Sequence, residues 1–338
     1  VLLADKMSAR RACGSPEAVG ITNHGLRSTL YELSMTAQPI SFQTQLSSRP
    51  AEARSWWGDA LRRFSQERLA VVASVIFVLL LFTSLLAPLL APYNPIEQFR
   101  QTGLTAQGQP VLPSAEFWLG TDGLGRDLLS RLLYGGRVSL GISITASAIS
   151  VLIGLLVGGV AGFIGGKTDF VVMRFVDLIM SMPTFFLTLL LVVMLSPGVW
   201  VVITVIALFS WTGPARVFRS QVLTVKQRDF VQAARCLGVP QTRIFLRHLA
   251  PHVLPLLAVY LALGIPNAIF AEASLSFLGL GVPAPAPSWG SMIRDGYAYY
   301  RAAPWIAFFP GVAIALAVVT INLLGNGLRE AMDPVRRK

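Results

Sequence analysis

Residues 161–168 read AGFIGGKT, which matches the glycine-rich loop that cradles nucleotide phosphates if alanine is allowed at its first position. That chemistry needs a buried strand before the loop and a helix N-terminus after it, so that backbone N–H groups converge on the phosphates. Two acids, Asp177 and Glu272, lie in or beside long apolar runs, where a carboxyl group can act as a proton relay. The cysteines, Cys13 and Cys236, lie far apart and neither belongs to a CxxC pair, so no disulfide framework or metal site follows from them. Residues 229–251, DFVQAARCLGVPQTRIFLRHLAP, form a basic, helix-prone stretch that a partner protein could grip.

The elements that carry these residues decide among the readings. At 338 residues, 54% hydrophobic and 13% charged, the chain is too apolar for an ordinary soluble domain, in which about 25% of residues are charged. It reads as a polytopic membrane protein. Residues 69–91, 138–164, 175–195, 199–215, 253–271 and 305–325 are apolar runs suited to span a bilayer core, which takes roughly 20 residues. Pro183 should kink the third run, and Pro266 beside Asn267 the fifth, with Glu272 at its end. Gly154, Gly158 and Gly162 fall four apart along the second, leaving a groove where another helix backbone can approach.

Outside the spans the signals are of other kinds. Residues 1–50 are polar and without period, as expected of a disordered cytosolic tail; the chain opens on Val1, and a start at Met7 or Met35 is expected. In residues 54–68, Trp56, Trp57, Ala60, Leu61 and Phe64 share one helical face, which suits a helix lying on the inner membrane surface. The polar segment 92–137 predicts a turn and a short helix over 127–134. Trp289, Tyr297, Tyr299, Tyr300 and Trp305 form an aromatic cluster of the kind found at membrane interfaces.

In this setting the glycine-rich match trails a transmembrane helix, and Lys167 reads as an inner-face charge in a short loop. Arg174 and Asp177, three apart, are expected to pair on the helix surface as a structural anchor. With six spans, 22 of the 28 lysines and arginines fall on one side, which places that side in the cytoplasm and accounts for the net charge of +11 without nucleic acid. Residues 229–251 are on that side. Phe230, Ala233, Ala234 and Leu237 recur at helical spacing, Gly238 and Pro240 break the run, and Ile244, Phe245, His248 and Leu249 resume it. The result is a helix-turn-helix-like shape with an apolar ridge on each limb.

This stretch resembles the mark of the permease subunits of bacterial ABC importers, a cytosolic loop of pattern EAA, three residues, Gly, nine residues, then Ile-x-Leu-Pro. It maps onto Gln232, Ala233, Ala234, Gly238, His248, Ala250 and Pro251, with Gln232 for Glu, His248 for Ile and Ala250 for Leu. GTDGLGRDLLSRLLYGGRVSL near 120–140, EASLSFLGLGVPAPAPSWG at 272–290 and NLLGNGLREAMDP at 322–334 are similar to one branch, the second permease of dipeptide, oligopeptide and nickel importers. Asn326 stands where that branch usually has Asp.

The resemblance implies an all-α polytopic membrane protein of six transmembrane helices with a type I ABC importer permease (MetI-like) core. Residues 51–92 would be the interfacial helix and first span, 93–137 an extracytoplasmic segment, 138–328 a five-helix core with its coupling loop at 216–252, and 329–338 a cytosolic tail. It implies a bacterial inner-membrane location with both termini cytoplasmic. No catalysis and no cofactor are expected in this chain; ATP and Mg would belong to two partner ATPase subunits. A second homologous permease, an extracytoplasmic solute-binding protein and membrane lipid complete the implied partners. The implied ATPase-coupling residues are Asp229, Val231, Gln232, Ala233, Ala234, Arg235, Gly238, Arg243, His248 and Pro251. Di- or oligopeptides are the implied cargo, although members of the branch also carry glutathione or nickel. The rival reading is a transporter driven by an ion gradient, with Asp177 and Glu272 as relay acids; no pair of matched broken helices in two halves favours it.

Overall fold

The computed structural model describes residues 56–332. Residues 1–55 and 333–338 lie outside the described residues, as do the side chains of Trp56, Trp57, Asp59, Ala60 and His248. Among the described residues the chain is helical and forms no strand. Two isolated bridges, Leu104 with Pro110 and Thr121 with Asp127, pin the loop before the long second span.

Helix α1 (Trp56–Gln66) leads into α2 (Arg68–Leu85) and the short α3 (Ala87–Leu90). After the loop, Asp127 caps α4 (Leu128–Ile164), its Oδ2 accepting from the Ser130 amide at 2.8 Å. At 1.5 Å per residue α4 is about 55 Å long, well beyond a hydrocarbon core of about 30 Å. The separate helix expected at 127–134 is therefore the first two turns of this one. Gly135 and Gly136 do not break it, because they are where Trp289 packs; a Cβ on Gly136 would lie 2.9 Å from the Trp289 ring.

Two other expectations also need correction. Residues 175–195 break at Pro183 more sharply than a kink: α5 (Gly166–Ser181) and α6 (Thr184–Leu195) meet at 84°. Lys167, Asp169, Arg174 and Asp177 give α5 a polar face, so it does not continue the apolar path of α6. The fourth run is α7 (Val199–Ser210), which bends by 42° into the more polar α8 (Thr212–Lys226). The chain then forms α9 (Asp229–Cys236), α10 (Gln241–Ile244), a π turn (Phe245–Leu249), α11 (Ala250–Phe277), α12 (Trp289–Tyr297) and α13 (Trp305–Met332). Among the described residues four helices are long and apolar enough to cross a membrane, or up to six if each bent pair is one span.

Helix α4 is the hub, packing on α8, α11, α7 and α2. One core joins α4, α11, α12 and α13 around Leu128, Ile269, Trp289 and Ile306. Trp289 is only 2% exposed and its Nε1 donates to the Leu132 carbonyl at 3.0 Å, so it belongs to this core and not to an interfacial aromatic belt. Glu272 does not end its helix. It is fully buried five residues before the end of α11, accepting from the Ser139 hydroxyl at 2.8 Å and the Ser276 hydroxyl at 2.6 Å. Since Ser139 Oγ also accepts from the Trp289 amide at 3.1 Å, this carboxyl group ties α4, α11 and α12 together.

Candidate functional site: the hairpin between α8 and α11

The hairpin begins where α8 ends at Lys226. Arg228 is extended, and Asp229 opens α9, where a carboxylate suits the positive end of the helix dipole. Helix α9 stops in a Schellman turn: the Gly238 amide donates to the Arg235 carbonyl at 2.9 Å and the Val239 amide to the Ala234 carbonyl at 3.1 Å. Gly238 holds φ at +75°, a left-handed conformation that costs an L side chain roughly 1–2 kcal/mol. A Cβ there would meet nothing within 4 Å, so backbone conformation alone demands the glycine. Pro240 then caps the short α10.

The second limb does not stop before the next span. It widens into the π turn, in which the Ala250 amide reaches back to the Phe245 carbonyl, and passes into α11 with Pro251 in its first turn. Pro251 has no N–H and its ring crowds the carbonyl four residues back, at Arg247; the widened turn relieves that crowding without ending the helix.

The hairpin divides its apolar residues between two surfaces. Val231 and Ala234 turn inward, buried with Phe218, Val222, Val225, Ile244, Leu249 and Val253 in a core of their own. Asp229, Gln232, Ala233 and Leu237 face out, Leu237 at 83% exposure, and Phe230 is exposed too, its ring 5.3 Å from that of His252. The ridge expected at 230, 233, 234 and 237 is thus split. Ala234 and Val231 secure the hairpin to its own body, and the residues beside them are left for another surface. Arg228 and Arg243 are exposed, and Arg235 Nε is buried without a hydrogen-bond partner. Pro251 is exposed; His248 lies in the π turn, with its side chain outside the described residues.

The hairpin stands on α8, and α8 is fastened along its length. Gly154, Gly158 and Gly162 of α4 face it: a Cβ on Gly154 would lie 2.7 Å from Pro214 Cβ, one on Gly158 would land on the Ala215 carbonyl, and one on Gly162 would lie 2.9 Å from the Arg219 carbonyl. Lys226 Nζ donates to the Phe163 carbonyl at 2.6 Å. On the other side, Arg219 Nε and Nη2 hold the two oxygens of Asp169 at 2.5 and 2.6 Å, and Arg216 pairs with Asp177. Asp177 therefore does not pair with Arg174, which lies over the Phe170 ring at 5.6 Å. A pairing three residues apart on one helix gave way to one that fastens α5 to α8.

Residues 150–338 match the family of the binding-protein-dependent transport system inner membrane component, and residues 55–106 match the N-terminal TM domain of oligopeptide transport permease C. The chain belongs to the first family. It is 38% identical to the oligopeptide transport system permease protein OppC of Bacillus subtilis (strain 168), over 84% of this chain and 91% of that protein. It is 39% identical to the dipeptide transport system permease protein DppC of the same organism, over 84% and 87%. To a putative peptide permease protein of Brucella suis biovar 1 it is 40% identical, over 80% and 89%. Among solved structures, a chain of the MetNI methionine ABC transporter aligns at 20% identity and a TM-score of 0.48, over 61% of this chain and 98% of that one.

The permease is a transport subunit of an ABC importer and not an enzyme; ATP hydrolysis belongs to separate ATPase subunits. The glycine-rich stretch 161–168 agrees with this assignment, since helix α4 and not a strand precedes it. The ion-gradient alternative has no support: Asp177 is engaged by Arg216, and Glu272 by two serines.

At the permease's other end, the GTDGLGRD stretch carries a buried ion-pair network. Asp122 Oδ2 lies 2.6 Å from Arg126 Nε and 3.2 Å from Arg131 Nε, and Asp295 lies 3.6 Å from Arg126 and 3.4 Å from Arg131. In the same loop the Tyr93, Phe99 and Phe117 rings cluster with centroids 4.9 to 5.6 Å apart. The alternation of Asp and Arg from 122 to 131 was the available signal; Asp295, more than 160 residues on, could be placed only by the fold.

Proposed function

We propose that the permease forms half of a translocation path for di- or oligopeptides in a bacterial inner membrane, with a second homologous permease forming the other half. Its identity of 38–40% to oligopeptide, dipeptide and peptide permeases over most of its length carries this reading. The hairpin from 229 to 251 would seat in a groove of an ATPase subunit on the cytosolic side, through Asp229, Gln232, Ala233 and Leu237, with Arg228, Arg235 and Arg243 available to acidic rims. Both termini would be cytoplasmic, since 22 of 28 basic residues fall on the hairpin side. Of the six on the outer side, Arg126 and Arg131 are already neutralised by Asp122 and Asp295. Large apolar side chains exposed on α2, such as Val72, Leu79 and Phe82, suit contact with lipid. A binding protein would deliver solute from outside.

Closure of the ATPase pair would move the hairpin. Val231 and Ala234 make it one body with α8 and α11, the glycine seam passes the movement to α4, and the Asp169–Arg219 pair passes it to the α5–α6 elbow. This is alternating access by rigid-body movement. Uptake of a labelled oligopeptide by cells carrying the full transporter tests the proposal. ATP depletion should stop uptake, and a protonophore should leave it running while ATP is maintained. The opposite sensitivities would return the chain to the ion-gradient class, and nickel or glutathione uptake without peptide uptake would overturn the cargo.

A further inference from the structure

Two cavities open in the membrane-crossing part of the permease. One, about 420 Å³, lies among α4, α7, α8 and α11 and is lined by Ser147, Ser150, Ser210, Tyr260 and Asn267. The other, about 410 Å³, lies at the break between α5 and α6 and is lined by Thr184, Thr188, Ser210 and Thr212. They adjoin at Ile206 and Ser210 of α7, which line both, and are treated together as one cleft. Each falls in the size range of small-molecule sites, roughly 300–1,000 Å³.

The lining of this cleft holds polar groups without being charged. No Asp, Glu, Lys or Arg lines it, yet hydroxyl and amide groups recur along it. Asn267 and Ser210 are exposed within it. A carboxamide facing lipid is costly, so such groups in a span belong where a polar surface meets them. Pro214, which also lines the cleft, has no N–H to give the Ser210 carbonyl, so the 42° bend leaves a backbone acceptor there. Carboxamide and hydroxyl groups each donate and accept, which matches the alternating N–H and C=O of a peptide backbone. The lack of charge gives no hold on any particular side chain and no deep well for either charged end of a peptide.

We propose that this uncharged cleft is the wall of the solute path that this chain contributes, and that it holds a peptide in transit by its backbone. The proposal rests on the peptide-permease reading. Its rivals for the cleft are a helix of the second permease and lipid.

Accessibility in the assembled transporter tests it. With Cys13 and Cys236 replaced by serine, single cysteines are placed at Asn267, at Ser210 and, as a control on the outer face of α13, at Leu316. The complex in vesicles is treated with a membrane-impermeant maleimide, which reacts with the thiolate that only water supports. Cysteines at 267 and 210 should label roughly tenfold or more faster than the one at 316. A saturating uncharged oligopeptide together with binding protein should slow that labelling, while free amino acids should not. In a second arm, Asn267→Asp should lower uptake of acidic peptides relative to basic ones. Silence at 267 and 210 in a complex that transports peptide overturns the path assignment, the cleft then being covered by protein or lipid. Rapid labelling without protection by peptide overturns backbone recognition but leaves the path. If the unmodified complex transports no peptide, the peptide-permease reading falls, and labelling still reports separately whether the cleft is wet.

Discussion

The two ends of the permease treat charge and exposure in opposite ways. At the end proposed to face outward, the outer end, Arg126 and Arg131 are 8% and 3% exposed and are held by Asp122 and Asp295, with a ring cluster in the same loop. At the end proposed to face the cytoplasm, the inner end, an eight-residue helix and its cap leave Gln232, Ala233 and Leu237 exposed, and Arg228 and Arg243 are exposed. Ion pairs that fold a loop onto its own body are drawn inward and satisfied within the chain. The hairpin instead keeps apolar and basic groups outward and is secured from behind, through Val231 and Ala234. If the hairpin couples to an ATPase as proposed, the outer end is built to stay and the inner end to be moved.

The comparison breaks most visibly if the outer network can be opened without loss. Arg131→Met removes the cation between two carboxylates and leaves Asp122, itself 2% exposed, beside Arg126 alone. Breaking a buried pair from one side typically costs about 3–5 kcal/mol. The expected outcome is a lower melting temperature in detergent and new protease cleavage within residues 92–127, with stimulation of the ATPase by binding protein lost. Unchanged cleavage and melting would mean that the network is ornamental and the two ends are alike.

The inner end should respond differently, in function before stability. Gly238→Val forces a β-branched residue into φ near +75° and should cost about 1–2 kcal/mol locally, whereas Gly238→Asn should cost less because asparagine tolerates that region. Both proteins should insert into the membrane. Transport and ATPase coupling should fall strongly for valine, and for the acidic Gly238→Asp, and only modestly for asparagine. Equal losses for valine and asparagine would show that surface shape or charge, not the Schellman turn, is what matters at 238.

Much of this architecture can be read along the chain, because apolar length, caps and glycine spacing are local. The six runs, the break at Gly238 and the seam at 154, 158 and 162 all depend on a few neighbouring residues. What was not legible is what depends on partners distant in sequence. Pro183 marks a break but not its angle of 84°, and Asp169 and Asp177 of α5 find Arg219 and Arg216 some 40 to 50 residues on. Asp177 was assigned to Arg174 because spacing alone makes them neighbours. Helix α9 carries two apolar faces, so periodicity identified a ridge without telling which half faces home. The outer motif shows the same limit, since Asp295 completes a network whose other members lie at 122 to 131.

The smallest effect should come from the pair that lies between the two regimes. Arg216 and Asp177 are both nearly half exposed, and exposed pairs are typically worth about 0.2–1 kcal/mol. Asp169 is 13% exposed and meets Arg219 through both oxygens, a geometry that fixes orientation as well as distance. If α5 moves with α8, the rigid pair does the carrying. Asp177→Asn should then leave thermal stability and uptake close to those of the unmodified transporter, and more salt should change little. Asp169→Asn should slow uptake clearly while leaving ATP hydrolysis running, because the hairpin would still move but the elbow would follow it loosely. Restoring uptake by exchanging the pair, Asp169→Arg with Arg219→Asp, would tie the loss to the contact itself. Equal losses at 169 and 177 would place the elbow with the outer end, as a structure that tolerates no missing charge.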